Sequence, residues 1–220
     1  NFELYNPVRI IFGPGEAENI GKYTKEYGTK AMLVTYDVHD FFNELLAKLD
    51  KSFKDAGVTV TEFFKVKPNP RLSDIEEAID ICRKEGIEVI VALGGGSVMD
   101  SAKAIGAGVK YDGDPWKMFV SRHDKAVAVP PTDTLPTIMI PTKSATSSET
   151  NNVAVATNDR THEKAYIWAP VLYPKICVMD PCVTATLPKF PMAAGAVDAI
   201  YVLEKNERIE NSATLYASGR

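Results

Sequence analysis

Cysteine and histidine are scarce in this sequence of 220 residues, which has three of each. Three cysteines, Cys82, Cys177 and Cys182, cannot build a disulfide framework. The spacing of the last two matches no common zinc-binding pattern, and no histidine follows them at ligand distance. We therefore expect three reduced, mostly buried thiols, as in a cytoplasmic protein.

A basic excess and long apolar runs are also lacking. The chain has 25 basic and 29 acidic residues and a net charge of −4, which argues against a nucleic-acid partner. The longest apolar runs, such as Val89–Leu93, are strand-sized, so we expect no membrane span. The opening residues carry no positive region followed by an apolar one, and we expect no secretion signal. The 45% hydrophobic share is that of an ordinary globular chain.

Short β-branched runs alternate with helical patterns over most of the chain. The predicted helices are Ala17–Tyr27, Phe42–Ala56, Ser73–Glu85 and Gly96–Val109, with helix again from Pro191 onward. The predicted strands are Val8–Phe12, Lys30–Thr35, Val58–Phe64, Val89–Leu93, Leu135–Ile140, Asn152–Thr157 and Lys175–Met179. Such alternation is typical of βαβ units and predicts an α/β protein with a parallel sheet.

The third predicted helix carries the clearest boundary signals. Ser73 and Glu76 have the spacing of a capping box, in which the two side chains satisfy free amides at the helix start. Ile75, Ala78, Ile79 and Cys82 recur at helical spacing and predict one apolar face. Gly86 is expected to end the helix.

A run of three glycines joins the strand Val89–Leu93 to the next helix. Gly94-Gly95-Gly96-Ser97 lets the backbone approach a ligand closely, and the helix start directs free amides and a positive dipole end into the turn. A pyrophosphate is the natural ligand, although a simple tight turn is the alternative. Ser97 and Asp100 predict a second capping box. Met99 replaces the third glycine of G-x-G-x-x-G, and the sequence lacks a Walker A loop.

A second polar segment follows the strand at Leu135–Ile140. Thr142–Glu149 contains five hydroxyl side chains in eight residues. Hydroxyl groups at the end of a strand are suited to bind phosphate and ribose oxygens. The alternative is a solvated loop whose hydroxyl groups only cap turns.

Together these segments resemble the iron-containing (group III, metal-dependent) alcohol dehydrogenase family, and most closely its NAD(P)H-dependent butanol dehydrogenase branch. The chain contains the family's G-G-G-S-x-x-D-x-A-K signature at Gly94–Lys103 and its P-T-x-x-x-T-x-S-E pattern at Pro141–Glu149. The opening segment Phe2–Gly13 is similar to the family's amino-terminal hairpin. Ala193-Ala194-Gly195 with Asp198 is similar to the start of its metal-binding helix.

The resemblance implies a Rossmann-like NAD(P)-binding domain over residues 1–187. A truncated or incomplete all-helical domain over residues 188–220 would follow it. Carried over by position, the cofactor-binding residues are Asp37, Asn69, Gly94, Gly95, Gly96, Ser97, Asp100, Thr142, Thr146 and Lys164. A carboxylate at Asp37 would bond the ribose 2′-hydroxyl and repel a 2′-phosphate, which favours NAD over NADP.

The resemblance also implies a divalent metal, iron or zinc, on the helical domain. The family holds it with one aspartate and three histidines, the first of them four residues after the aspartate. Asp198 is present, but Val202 stands at that spacing. His39, His123 and His162 match none of the metal positions and are interpreted as surface or loop residues. We expect an abridged helical domain with one metal ligand, Asp198.

By resemblance, the expected activity is interconversion of a small alcohol and its aldehyde, with hydride transfer to or from NAD(P). No residue is assigned as catalytic. A non-catalytic NAD(P)-binding module that has lost its metal site is the first alternative. A lyase similar to dehydroquinate synthase is less favoured, because it would need a cluster of basic residues to bind a phosphorylated substrate. The loop around Lys143 contains few basic residues. An interaction protein that forms a homodimer is a further alternative.

Overall fold

A six-stranded parallel β-sheet forms the centre of the protein in the computed structural model. The structure describes residues 5–37, 40–121, 127–143, 146–185, 189–190 and 193–197. The strands of this sheet are β1 (Arg9–Phe12), β2 (Lys30–Tyr36), β3 (Thr59–Val66), β4 (Val89–Gly94), β5 (Thr137–Pro141) and β8 (Ile176–Met179). Their order is β1-β8-β5-β4-β2-β3, and every pair is parallel. The predicted α/β fold class with a parallel sheet is confirmed.

Helices cover both faces of the sheet. They are α1 (Ile20–Lys25), α2 (Asn43–Asp55), α3 (Leu72–Glu85), α4 (Gly96–Lys110) and α5 (Pro181–Thr184), and residues 193–197 are helical as well. Alternate residues of β2 face different cores: Met32 packs with α3 and α4, whereas Leu33 packs with α1 and α2. The central strand β4 is therefore buried along its whole length, as its unbroken apolar run predicts.

An antiparallel hairpin of β6 (Val153–Asn158) and β7 (Glu163–Trp168) packs through β6 against α4 and α3. Sequence analysis predicted β6 but missed β7. The side chains of β7 alternate between buried and exposed from Glu163 to Trp168. The exposed residues Tyr166 and Trp168 are aromatic and Glu163 is buried, so the sequence of β7 lacks the alternation of polar and apolar residues that would predict a strand with one solvated face.

The opening segment is only partly described. Within the described residues, β1 pairs in parallel with β8 at one end of the main sheet, and the predicted amino-terminal hairpin stays a prediction. Residues 1–4 lie outside the described residues.

The predicted capping box of α3 is wrong. The helix begins at Leu72, Arg71 is its N-cap, and no side chain caps it. The Ser73 amide donates instead to Asp159 Oδ1 at 3.1 Å, and Glu76 pairs with Arg160. Both partners lie at the turn of the hairpin, so contacts with a distant segment replace the local ones. The predicted end at Gly86 is confirmed, with φ at 68°.

The cysteines are free thiols: Cys82 and Cys177 are buried, and Cys182 is exposed. Burial raises the pKa of each buried thiol to about 12, so neither is reactive near neutral pH. None of the helices in the described ranges is both long and apolar enough to cross a membrane.

Candidate functional site

The chain reverses its direction of travel across the sheet between β2 and β4. The connection from β2 leads to β3 on one side, whereas the connection from β4 leads to β5 on the other. Ligands of open α/β sheets bind outside the carboxyl ends of the strands at such a switch point. Here the Gly95 amide, just after β4, donates to the Tyr36 hydroxyl at the end of β2, at 3.0 Å.

The glycine run forms the start of α4. Gly95 is the N-cap, the helix has 15 residues from Gly96, and no side chain caps its start. The predicted Ser97–Asp100 capping box is therefore wrong, because both side chains bond to other segments. The Ser97 hydroxyl accepts from the Asn69 amide at 3.3 Å. The uncapped start leaves the positive end of the helix dipole directed at the space in front of the turn.

A cleft of about 480 Å³ opens in front of this turn. Seven of the predicted cofactor residues line it: Asn69, Gly95, Gly96, Ser97, Asp100, Thr146 and Lys164. Two other predicted residues, Gly94 and Thr142, are buried and do not line the cleft. The Thr142 amide donates to the Gly94 carbonyl at 3.1 Å. Asp37 is exposed just beyond β2 and does not line the cleft. Asp198 lies outside the described residues.

Thr146 lines the cleft directly beside the glycine turn. A Cβ atom on Gly96 would lie 2.7 Å from Thr146 Cγ2 and 2.8 Å from its Oγ1. Real Cβ atoms essentially never approach so closely, so the space between helix start and threonine admits glycine alone without a shift.

Asn69 and Lys164 form another part of the cleft wall. Asn69 has φ at 61°, a left-handed conformation that asparagine tolerates better than most residues. Its Oδ1 accepts from Lys164 Nζ at 2.9 Å. Lys164 and Lys143, which also lines the cleft, give the site two cationic groups. An uncapped helix start and two lysines suit an anionic ligand.

Asp100 is held within the protein rather than directed at a ligand. Its Oδ1 accepts from the Ser148 hydroxyl at 2.6 Å and its Oδ2 from the Val155 amide at 3.1 Å. Burial raises the pKa of Asp100, and these hydrogen bonds oppose the shift. Asp100 therefore ties α4 to the segment that leads into the hairpin.

Sequence analysis did not assign four residues that build this site: Tyr36, Lys103, Ser148 and Asn151. Lys103 and Ser148 belong to the matched motifs, but nothing in their spacing shows that they meet. A lysine within the apolar pattern of α4 is the one signal that could have marked a buried charge. Burial lowers the pKa of Lys103 to about 8, against the raising effect of nearby Asp100 and Glu149.

A metal site does not emerge from the residues that the structure describes. They contain no group of three or more histidine, cysteine, aspartate or glutamate side chains that could hold an ion. His162 is exposed at the hairpin turn, while His39 and His123 lie outside the described residues. Asp198 as a metal ligand stays a prediction.

Comparison with known protein families gives one match over most of the chain. The model for iron-containing alcohol dehydrogenases matches residues 7–181. A probable NADH-dependent butanol dehydrogenase 1 of Bacillus subtilis (strain 168) is 39% identical over 203 residues, which are 90% of this chain and 50% of that protein.

Solved structures are similar over the same region. The crystal structure of NADH-dependent butanol dehydrogenase A from Thermotoga maritima has a TM-score of 0.81 and 39% identity, covering 91% of this chain and 49% of that one. Sulfoacetaldehyde reductase from Bifidobacterium kashiwanohense, solved in complex with NAD⁺, has a TM-score of 0.77 and 30% identity, covering 90% and 51%. The chain thus spans about half the length of these relatives.

Proposed function

The chain belongs to the iron-containing alcohol dehydrogenase family, and on that premise we propose that its cleft binds NAD(P) for interconversion of a small alcohol and its aldehyde. The observation that carries this proposal is the uncapped start of α4, where Gly95, Gly96 and Ser97 line the cleft. Such a turn allows a pyrophosphate to contact backbone amides without collision with a side chain.

In the proposed complex, the pyrophosphate lies at Gly95, Gly96 and Ser97. The Thr146 hydroxyl donates a hydrogen bond to the pyrophosphate. Lys164, which is held in place by its hydrogen bond to Asn69, adds positive charge. When bound, the nicotinamide supplies the hydride acceptor for the alcohol and the hydride donor for the aldehyde. The protein's part in this region is to bind and orient the cofactor.

Turnover also requires parts that these described residues do not provide. The family implies a divalent metal, and Asp198 is its proposed ligand in this chain, but the described residues form no complete metal site. The named relatives act on butanol and sulfoacetaldehyde by their names, and a small alcohol or aldehyde is the proposed substrate class here. A homodimer and a cytoplasmic location stay predictions.

The test is a fluorescence titration of the 220-residue chain with NADH and NADPH. We expect saturable binding of NADH, and competition by ADP-ribose, which retains the pyrophosphate. Reduced nicotinamide mononucleotide lacks the pyrophosphate bridge and is expected to bind much more weakly. Absence of saturable binding for both dinucleotides would contradict the proposal. Binding without alcohol oxidation, with ferrous or zinc ion added, would favour a non-catalytic NAD(P)-binding module.

The exposed carboxylate of Asp37 is proposed to select NADH over NADPH. We expect Asp37→Ser to lower the ratio of the NADPH dissociation constant to the NADH dissociation constant about tenfold. This corresponds to about 1.4 kcal/mol of lost repulsion between Asp37 and the 2′-phosphate. The measurement is the same titration with both cofactors. Asp112→Ser, an exposed loop carboxylate, is the control and should leave the ratio unchanged. An unchanged ratio in Asp37→Ser would reject this role.

A further inference from the structure

Lys103 is a lysine with no exposed surface, in the middle of α4. The three N–H groups of its Nζ are shared among four acceptors: Ser148 Oγ at 3.0 Å, the Asn151 carbonyl at 2.8 Å, Asn151 Oδ1 at 2.9 Å and the Val153 carbonyl at 2.9 Å. All four acceptors belong to residues 146–153, which we call the cleft segment. A single side chain thus joins α4 to most of this segment.

Burying an ammonium group costs free energy unless its hydrogen bonds are satisfied. The four acceptors provide that compensation, and two of them are backbone carbonyls that need a donor once they are removed from water. A side chain that only filled this space could be apolar. The Lys103 ammonium instead bonds acceptors that all come from one segment. We therefore expect it to fix the conformation of that segment.

The cleft segment forms one wall of the cofactor cleft. Thr146, Ser148, Asn151 and Val153 line the cleft, whereas Lys103 does not. The Ser148 hydroxyl stands between Lys103 and Asp100, and the Ser148 amide donates to Thr146 Oγ1 at 3.3 Å. A chain of hydrogen bonds therefore runs from the buried ammonium to the hydroxyl that faces Gly96.

We propose that Lys103 is a positioning residue that holds the cleft segment against α4 and so sets the distance from Thr146 to the glycine turn. This inference rests on the proposed cofactor function but concerns a residue that does not touch the cofactor. Its effect is exerted through Ser148, Asn151 and Val153.

The first test compares Lys103→Met with Lys110→Met, a lysine at the exposed end of the same helix. Methionine fills the volume without donating. We expect the NADH dissociation constant to rise at least tenfold in Lys103→Met and to stay unchanged in Lys110→Met, at a temperature where circular dichroism shows both variants folded. Lys103→Gln, which keeps a donor, should be intermediate and serves as the main variant if Lys103→Met does not fold. An unchanged dissociation constant would overturn the proposal.

A double-mutant cycle separates positioning from general loss of structure. Thr146→Val and Ser97→Ala each remove one hydroxyl from a residue that lines the cleft. If Lys103 positions Thr146, Lys103→Met removes most of the effect of Thr146→Val on NADH binding but leaves the effect of Ser97→Ala intact. Additivity at both sites, or an equal loss at both, would contradict the proposal.

Hydrogen exchange tests the same inference without cofactor. In Lys103→Met, the amides of Ser148, Val153 and Val155 should exchange at least tenfold faster than in the parent chain, and those of β4 at the same rate. Unchanged exchange in the cleft segment would overturn the proposal whether or not NADH binds. Failure of NADH to bind the parent chain would reject the proposed function, while exchange still decides whether Lys103 holds the segment.

Discussion

Replacing Gly96 with valine is expected to abolish NADH binding to the folded protein. The first added atom would already lie 2.7 Å from Thr146 Cγ2, so the branched side chain would displace Thr146, whose hydroxyl is proposed to bond the pyrophosphate. We expect a dissociation constant at least 100-fold higher, or about 2.7 kcal/mol of lost binding free energy, from titration with NADH. Gly96→Ala, with one added methyl group, should raise the NADH dissociation constant about tenfold.

Stability is the control that makes this result specific to the cleft. Gly96 is the first residue of α4, where alanine is a better helix former than glycine. Thermal unfolding of Gly96→Ala should change little, because this gain is opposed by the contact with Thr146, an exposed side chain that can rotate away. Gly13→Val, at the end of β1, adds a side chain that meets only the flexible Glu16 at 3.2 Å and should leave NADH binding unchanged. Normal NADH affinity in Gly96→Val would exclude this turn as the pyrophosphate site.

Gly21→Ala is expected to destabilise the protein by about 3 kcal/mol, the upper part of the range for overpacking. A Cβ atom at Gly21 would lie 2.0 Å from the backbone oxygen of Ser52. The Gly21 amide donates to Ser52 Oγ at 3.0 Å, so α1 and α2 are already in direct contact. Backbone cannot rotate away as a side chain can, and the helices must separate. Chemical denaturation measures the free energy of unfolding.

Two variants check the cause of that loss. Lys22→Ala changes the exposed neighbour on the same helix and should stay within about 0.5 kcal/mol of the parent. Adding Ser52→Ala to Gly21→Ala should not restore stability, because the close atom belongs to the backbone. Recovery in the double variant would show that the Ser52 side chain, not the helix crossing, limits the space.

Local sequence signals were sufficient to predict a strand that is buried on both faces and a helix end that is fixed by glycine. The unbroken apolar run of β4 predicts a strand buried on both faces, and the structure confirms it. Gly86 ends α3 because its left-handed conformation is easily adopted only by glycine. Of the ten cofactor residues that the family resemblance implies, seven line one cleft. Their contact with a cofactor and the domain boundary at residue 187 stay predictions.

Side-chain partners could not be predicted in the same way. Ser73 and Ser97 each have the spacing of a capping box with the acidic residue three positions later, yet all four side chains bond elsewhere. A capping box is worth only about 1 kcal/mol, and hydrogen bonds to segments brought close by the fold replace it.

The sequence by itself determined the α/β class, the family and the turn where backbone can approach a pyrophosphate. The class and the turn depend on periodicity and on glycine, which act over a few neighbouring residues, and the family depends on the resemblance of motifs along the chain. Only the tertiary structure decided that Tyr36 bonds the glycine turn and that Lys103 is buried under the cleft segment. These two contacts join residues 59 and 50 positions apart, and no local spacing encodes which acceptors will surround a buried charge.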